Sequence, residues 1–235
     1  MRNSDDRMES PQSVAVGIGR LFEQAGSQAE VDNLRALLCS AVERLAPLPG
    51  DQRNEIETQA FGAIVEGLKR FGPAALLFKG GIDFLDFACI QSLAVEAAGL
   101  FPRASEAQGH LYHPGGEVAN SLSVSPELCR FMQDLVPECQ PTGIASYVYY
   151  CRPGHGIPPH IDTNMFLLNV LIVLEHAYSG APSNLVIYPD GPTPITVKLA
   201  PGDVVVFDGG SLVHAREKLG VDERLSILTI GFHPR

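Results

Sequence analysis

From residue 141 onward the chain is cut into short apolar runs by Gly, Pro, Asp and Ser clusters, and this texture limits the fold more than any other feature. The runs are 144–152, 166–174, 184–188, 195–199, 204–207, 212–214 and 224–232. Each has the length of one strand. Many short strands with turns between them predict a double-stranded β-helix, the jelly-roll variant of the β-sandwich.

The preceding residues have a different texture. Ser27 with Glu30 is a capping-box signature, and Val31, Leu34, Leu38, Val42 and Leu45 then recur at helical spacing until Pro47. Ile56, Ala60, Ile64 and Leu68 mark a second helix, ended by Gly72-Pro73. Residues 74–78 suit a short strand, Asp83 is expected to cap a helix through about Ala98, and Ser125-Pro126-Glu127 opens another that runs to about Val136. The segment 103–124 is rich in Gly, Ser, Pro and Asn, carries His110, Tyr112, His113 and Asn120, and reads as a substrate-side loop. Residues 1–13 are polar and aperiodic, and are expected to form a flexible terminus. The expected class is α+β: residues 14–235 as a single domain, with helical support over about 14–140 packed against a jelly-roll core over about 141–235.

Length and composition agree with one domain, since 235 residues allow a full core without requiring two. The formal net charge of −10, with no run among the 17 Lys and Arg, argues against a nucleic-acid partner. Five cysteines with no C-x-x-C spacing suggest neither a disulfide framework nor a thiolate zinc cluster, and point to reduced thiols in the cytoplasm. The first residues lack the apolar stretch of a signal peptide, and the 166–174 run is too short to cross a bilayer, so no membrane partner is expected.

The chemistry concentrates in His160-x-Asp162, followed downstream by His214 and then Arg224-x-Ser226. Residues two apart on an extended segment share a side, so His160 and Asp162 can reach one ion after the turn-rich link Pro153 to Pro159. Two imidazoles and one carboxylate can take one face of an octahedral iron(II), leaving the opposite face open. Arg224 and Ser226 likewise share a side, where a planar guanidinium and a hydroxyl can hold a carboxylate. Asn169 is a lone amide in an apolar run, which is costly unless bonded, and is expected to face the site. His155 reads either as a residue at the pocket mouth or as an ordinary loop histidine, the His110-x-x-His113 pair lacks further ligands and reads as loop chemistry, and His176 and His233 have no supporting context.

This order of residues resembles the 2-oxoglutarate-dependent, iron(II)-dependent dioxygenases over about residues 144–232. The resemblance implies that His160, Asp162 and His214 bind Fe(II), that Arg224 and Ser226 grip the distal carboxylate of the co-substrate 2-oxoglutarate, and that dioxygen takes the remaining coordination site. Members often carry Asn-x-Tyr-x-Pro-Gly before the H-x-D pair; here Tyr149 stands at the Asn position and Cys151 at the Tyr position. That departure leaves Tyr149 either a donor to 2-oxoglutarate or a core residue. Asp162 stands where related halogenases carry a small residue, which implies hydroxylation rather than halogenation and leaves desaturation and cyclisation open. The expected function is an oxygenase hydroxylating a small-molecule substrate such as an amino acid or biosynthetic intermediate. A peptide or protein hydroxylase of the same superfamily and a non-catalytic, cupin-like metal-binding jelly roll are the alternatives.

Overall fold

The structure is a computed structural model that describes residues 17, 20, 21, 23–51, 53–107, 109–162 and 165–234. The expected flexible terminus, 1–13, lies outside the described residues. Helix α1 (Gln28–Leu45) and helix α2 (Glu55–Leu68) come first, then strand β1 (Leu76–Gly80) and helix α3 (Phe87–Leu100). A hairpin of β2 (Ser105–Ala107) and β3 (His110–Pro114) precedes α4 (Glu117–Ser123) and α5 (Pro126–Leu135). The remaining strands are β4 (Gln140–Tyr150), β5 (Ile157–His160), β6 (Leu168–Ala177), β7 (Leu185–Tyr188), β8 (Ile195–Val197), β9 (Val204–Phe207), β10 (Val213–Arg216) and β11 (Arg224–His233). None of the described helices is long and apolar enough to cross a membrane.

The strands form two antiparallel sheets, a larger one in the order β1-β9-β6-β11-β4-β3-β2 and a smaller one in the order β5-β10-β7-β8. From β4 onward the chain passes repeatedly from one sheet to the other, a winding compatible with a jelly roll. The amino-terminal part is less purely helical than its sequence suggests. Strand β1 extends the large sheet beyond β9, and the β2–β3 hairpin extends it beyond β4.

Three apolar clusters follow from strand alternation. Between the sheets lie Val148, Tyr150, Leu171, Val173, Leu225 and Ile227. On the outer face of the large sheet, Tyr147, Tyr149, Leu228 and Ile230 pack with Leu93 of α3 and Leu128 and Met132 of α5. On the outer face of the small sheet, Val186, Tyr188, Val213 and Ala215 pack with Val42 of α1 and Phe61 and Leu68 of α2. Burying side chains of this size contributes about 1.5–3 kcal/mol each, so the helices are held by the sheets they cover.

Local chemistry sets the helix starts. Ser27 caps α1 by accepting from the Glu30 backbone N–H, but the Glu30 carboxylate accepts from Gly26 rather than closing a box on Ser27. Asn54 and Glu57 form the full capping box, at the start of α2. Asp86, not Asp83, caps α3, accepting from the Cys89 N–H at 2.8 Å after a turn at Ile82–Leu85. The 103–124 segment is not a loop, because β3 pairs with the edge of β4. Helix α4 is fixed by Glu96, whose carboxylate accepts from the Val118 and Ala119 N–H groups at its positive end and from the Tyr147 hydroxyl.

Candidate metal centre

Strand β5 ends at His160, and the antiparallel register sets His160 directly opposite His214 of β10. Their ring centroids are 4.3 Å apart. Asp162 follows just beyond β5, with its N–H donating to the Gly209 carbonyl at 2.7 Å. One carboxylate oxygen lies 3.7 Å from His160 Nε2 and the other 3.7 Å from His214 Nε2. Among the described residues this is the group whose ligand atoms converge for a metal, all within 4.8 Å of one another.

Each imidazole is oriented from behind. His160 Nδ1 lies 2.8 Å from the Pro158 carbonyl and His214 Nδ1 lies 2.9 Å from the Leu212 carbonyl. A carbonyl only accepts, so Nδ1 carries the proton and the Nε2 lone pair faces the centre. Burial, and then the neighbouring His214, push the His160 pKa down to about 4, which keeps the ring neutral near pH 7. Asn169 Nδ2 donates to Asp162 Oδ2 at 2.9 Å, while Asn169 Oδ1 is buried without a partner. Gly209 is required here: a Cβ would run into the Asp162 carboxylate and lie 2.6 Å from the Phe166 carbonyl oxygen. Two imidazoles with Nε2 turned to the centre and one carboxylate, with an open side, are a donor set that fits Fe(II).

A mainly apolar cavity of about 500 Å³ opens over the triad. His110 and Tyr112 of β3, Met165, Phe166 and Glu43 of α1 line it together with Asn169. Arg216 also lines it, two residues beyond His214 on the same face of β10. The Arg216 side chain is buried; one terminal nitrogen donates to the Ser183 carbonyl at 2.8 Å and to Ser183 Oγ at 3.0 Å, and Nε has no partner. No carboxylate among the described residues lies within ion-pair distance of it. Burial disfavours its charged form, while Glu223 and Glu217 favour it from beyond ion-pair distance.

The structure thus brings His160, Asp162, His214 and Asn169 to one cavity. Arg224, Ser226 and Tyr149 are placed elsewhere, and the expectation for them is corrected. They line a separate hollow of about 240 Å³ beside α3. On β11 it is Leu225 and Ile227 that face the interior, so Arg224 and Ser226 share a side as expected, but it is the outer one. The same one-residue offset holds on β4. Tyr150 points inward, whereas Tyr149 packs outward and donates its hydroxyl to the Ala97 carbonyl.

Arg216 is the residue missed by sequence reasoning, although its spacing from His214 is a signal of the same kind as H-x-D. His155 accepts locally from the Cys151 N–H, and His176 is bonded to Glu223. His110 lines the cavity, and His113 does not.

No family model matches this sequence, and no curated protein matches it. Solved structures do match the fold. A Pseudomonas putida prolyl-4-hydroxylase is 17% identical and superposes with a TM-score of 0.53, covering 74% of this chain and 99% of its own. The non-haem, α-ketoglutarate-dependent epimerase SnoN from nogalamycin biosynthesis is 17% identical with a TM-score of 0.55, covering 71% of this chain and 82% of its own. HygX from Streptomyces hygroscopicus, solved with nickel and 2-oxoglutarate, is 13% identical with a TM-score of 0.50, covering 63% of this chain and 79% of its own. The fold is therefore one found among 2-oxoglutarate-dependent, non-haem iron oxygenases.

Proposed function

We propose that residues 14–235 form one Fe(II)- and 2-oxoglutarate-dependent oxygenase domain that hydroxylates a small molecule, such as an amino acid or a biosynthetic intermediate. The observation that carries this reading is the placement in one cavity of the three metal-ligating side chains and a buried guanidinium with no carboxylate within ion-pair distance among the described residues. His214 and Arg216 are two residues apart on a strand, hence about 6.7 Å. A 2-oxo acid chelating the metal at one end and carrying a second carboxylate at the other spans a comparable length.

His160, Asp162 and His214 would hold the metal, and Arg216, in place of Arg224 and Ser226, would hold the distal carboxylate of 2-oxoglutarate. Iron(II) with 2-oxoglutarate and dioxygen supplies oxidative decarboxylation of the 2-oxo acid coupled to oxidation of a substrate C–H bond. The protein's own part is orientation: the Pro158 and Leu212 carbonyls fix the imidazoles, Asn169 fixes the Asp162 carboxylate, and the apolar walls exclude water. The unpartnered Asn169 Oδ1 offers an acceptor to a substrate donor.

A cavity of about 500 Å³ suits a small molecule. Two of the similar structures contain one: HygX has been solved with hygromycin B and SnoN with nogalamycin RO. The prolyl-4-hydroxylase likeness keeps a peptide substrate as the second reading. Arg216 argues against a non-catalytic metal-binding jelly roll, because metal binding alone has no use for a buried guanidinium. Succinate formation measured across amino acids, other small acids and peptides tests the proposal. Coupled turnover with a free small molecule and a product heavier by one oxygen is the expected result; turnover only with a peptide selects the second reading, and no succinate from any member sinks both.

A further inference from the structure

Behind Arg216 lies a buried polar chain that the metal centre does not use. Ser183 Oγ donates to Glu223 Oε1 at 2.7 Å, and the same oxygen accepts from the Ser183 N–H at 2.7 Å and from His176 Nε2 at 2.8 Å. The other oxygen, Oε2, accepts from the Gly220 N–H at 2.9 Å. Arg216, Ser183 and Glu223 are all buried. Although burial works in the opposite direction, the hydrogen bonds from His176, Gly220 and Ser183 hold the Glu223 carboxyl below the ordinary carboxylate range.

A serine hydroxyl has one proton. Here it is donated in the hydrogen bond to the carboxylate, which leaves the oxygen lone pairs for Arg216. The Arg216 terminal nitrogen is thereby tied at Ser183 O and Oγ, while Nε stays unpaired. Ser183 is also a spacer. It stands between a buried cation and a buried anion that have no direct contact and would otherwise gain strongly by pairing.

We propose that Ser183 and Glu223 are positioning residues that keep Arg216 turned to the cavity and available to the distal carboxylate of the co-substrate. The proposal rests on the oxygenase reading and assigns the geometry of its anion-binding end. With the Ser183 hydroxyl removed, Arg216 can fold back onto Glu223 and the cavity loses its cation. Glu223→Gln keeps the side-chain volume but replaces the charged acceptor with a neutral amide oxygen, which weakens its hold on the Ser183 proton and acts in the same sense.

The test is anaerobic calorimetric titration of 2-oxoglutarate into the full-length, Mn(II)-loaded protein, with Mn(II) affinity measured in parallel. Ser183→Ala is expected to weaken 2-oxoglutarate binding about tenfold, or about 1.4 kcal/mol, at unchanged Mn(II) affinity. Ser183→Thr, which keeps the hydroxyl, is expected to restore binding to within about threefold of wild type, on the scale of a single neutral hydrogen bond. A general packing defect would move both affinities and would not distinguish Ala from Thr. Should Ser183→Ala not fold, Glu223→Gln carries the same comparison. Wild-type-like 2-oxoglutarate binding in the folded variant overturns the positioning role alone; a wild-type Mn(II) protein that takes up no 2-oxoglutarate overturns the oxygenase reading and this proposal with it.

Discussion

Arg216 and Arg224 separate what one residue's chemistry needs from what its position allows. Both carry the same guanidinium, but Arg216 is buried at the cavity and Arg224 is exposed on the far side of the large sheet. Arg216→Ala is therefore expected to weaken 2-oxoglutarate binding by about 2–5 kcal/mol, the scale of leaving a buried carboxylate unpaired. Arg224→Ala is expected to leave it within about 0.5 kcal/mol. Titration of the two variants side by side checks the pair, and the reverse pattern would return the anchor to β11. His160→Ala, Asp162→Ala and His214→Ala are each expected to abolish metal-dependent turnover, because three ligands leave none to spare. Gly209→Ala is expected to do the same less directly, by displacing the Asp162 carboxylate, with lost metal affinity in a folded protein as its signature. The H-x-D pair was legible because two-residue spacing guarantees a shared side whichever side that is, and the distal histidine through the resemblance of the whole pattern. The side itself was not legible for Arg224: β11 has Leu225 and Ile227 on one face and Leu228 and Ile230 on the other, all buried, so its pattern carries no parity.

Elements with local signals were readable, and those made by long-range pairing were not. Helix α5 begins where Ser125-Pro126-Glu127 places it, with Ser125 Oγ accepting from the Leu128 N–H. Helix α3 starts later than its first acidic residue suggests, since Asp83 and Asp86 are both plausible caps and only the Ile82–Leu85 turn chooses between them. Asp86→Ala is expected to lower stability by about 1 kcal/mol, and Asp83→Ala by a few tenths at most. Denaturant unfolding with unchanged slope measures both. The 103–124 segment looked like a loop because β2 and β3 are three and five residues long and rich in polar side chains. Their stability as strands comes from the edge of β4 and from Glu96 at the start of α4, contacts that no local window contains.

At the scale of the molecule, the strand texture announced two antiparallel sheets, whereas the addition of β1, β2 and β3 to the edges of the larger one depends on the assembled core. The half-buried, neutral His160 links that core to pH. Its folded-state pKa of about 4 lies below the ordinary 6.5, so between these values the unfolded chain binds more protons than the folded one. The contribution of this group to stability is therefore present above pH 6.5 and is lost as pH falls toward 4. Unfolding of the metal-free protein across that range checks the sign. His160→Gln, which cannot titrate, is expected to flatten the dependence. Metal affinity of the folded protein should fall only as pH approaches 4, where protons begin to compete with the metal for His160.

The proposed function requires the triad and Arg216 to form one site, in which a 2-oxo acid chelates the metal and pairs its second carboxylate with Arg216. Its most direct test is anaerobic titration of 2-oxoglutarate into the Fe(II)-loaded protein, followed by visible absorption. The expected result is a weak charge-transfer band that saturates at one 2-oxoglutarate per chain, is lost in Asp162→Ala, and in Arg216→Ala requires far higher 2-oxoglutarate. A wild-type protein that binds Fe(II) yet develops no band at saturating 2-oxoglutarate would contradict the account.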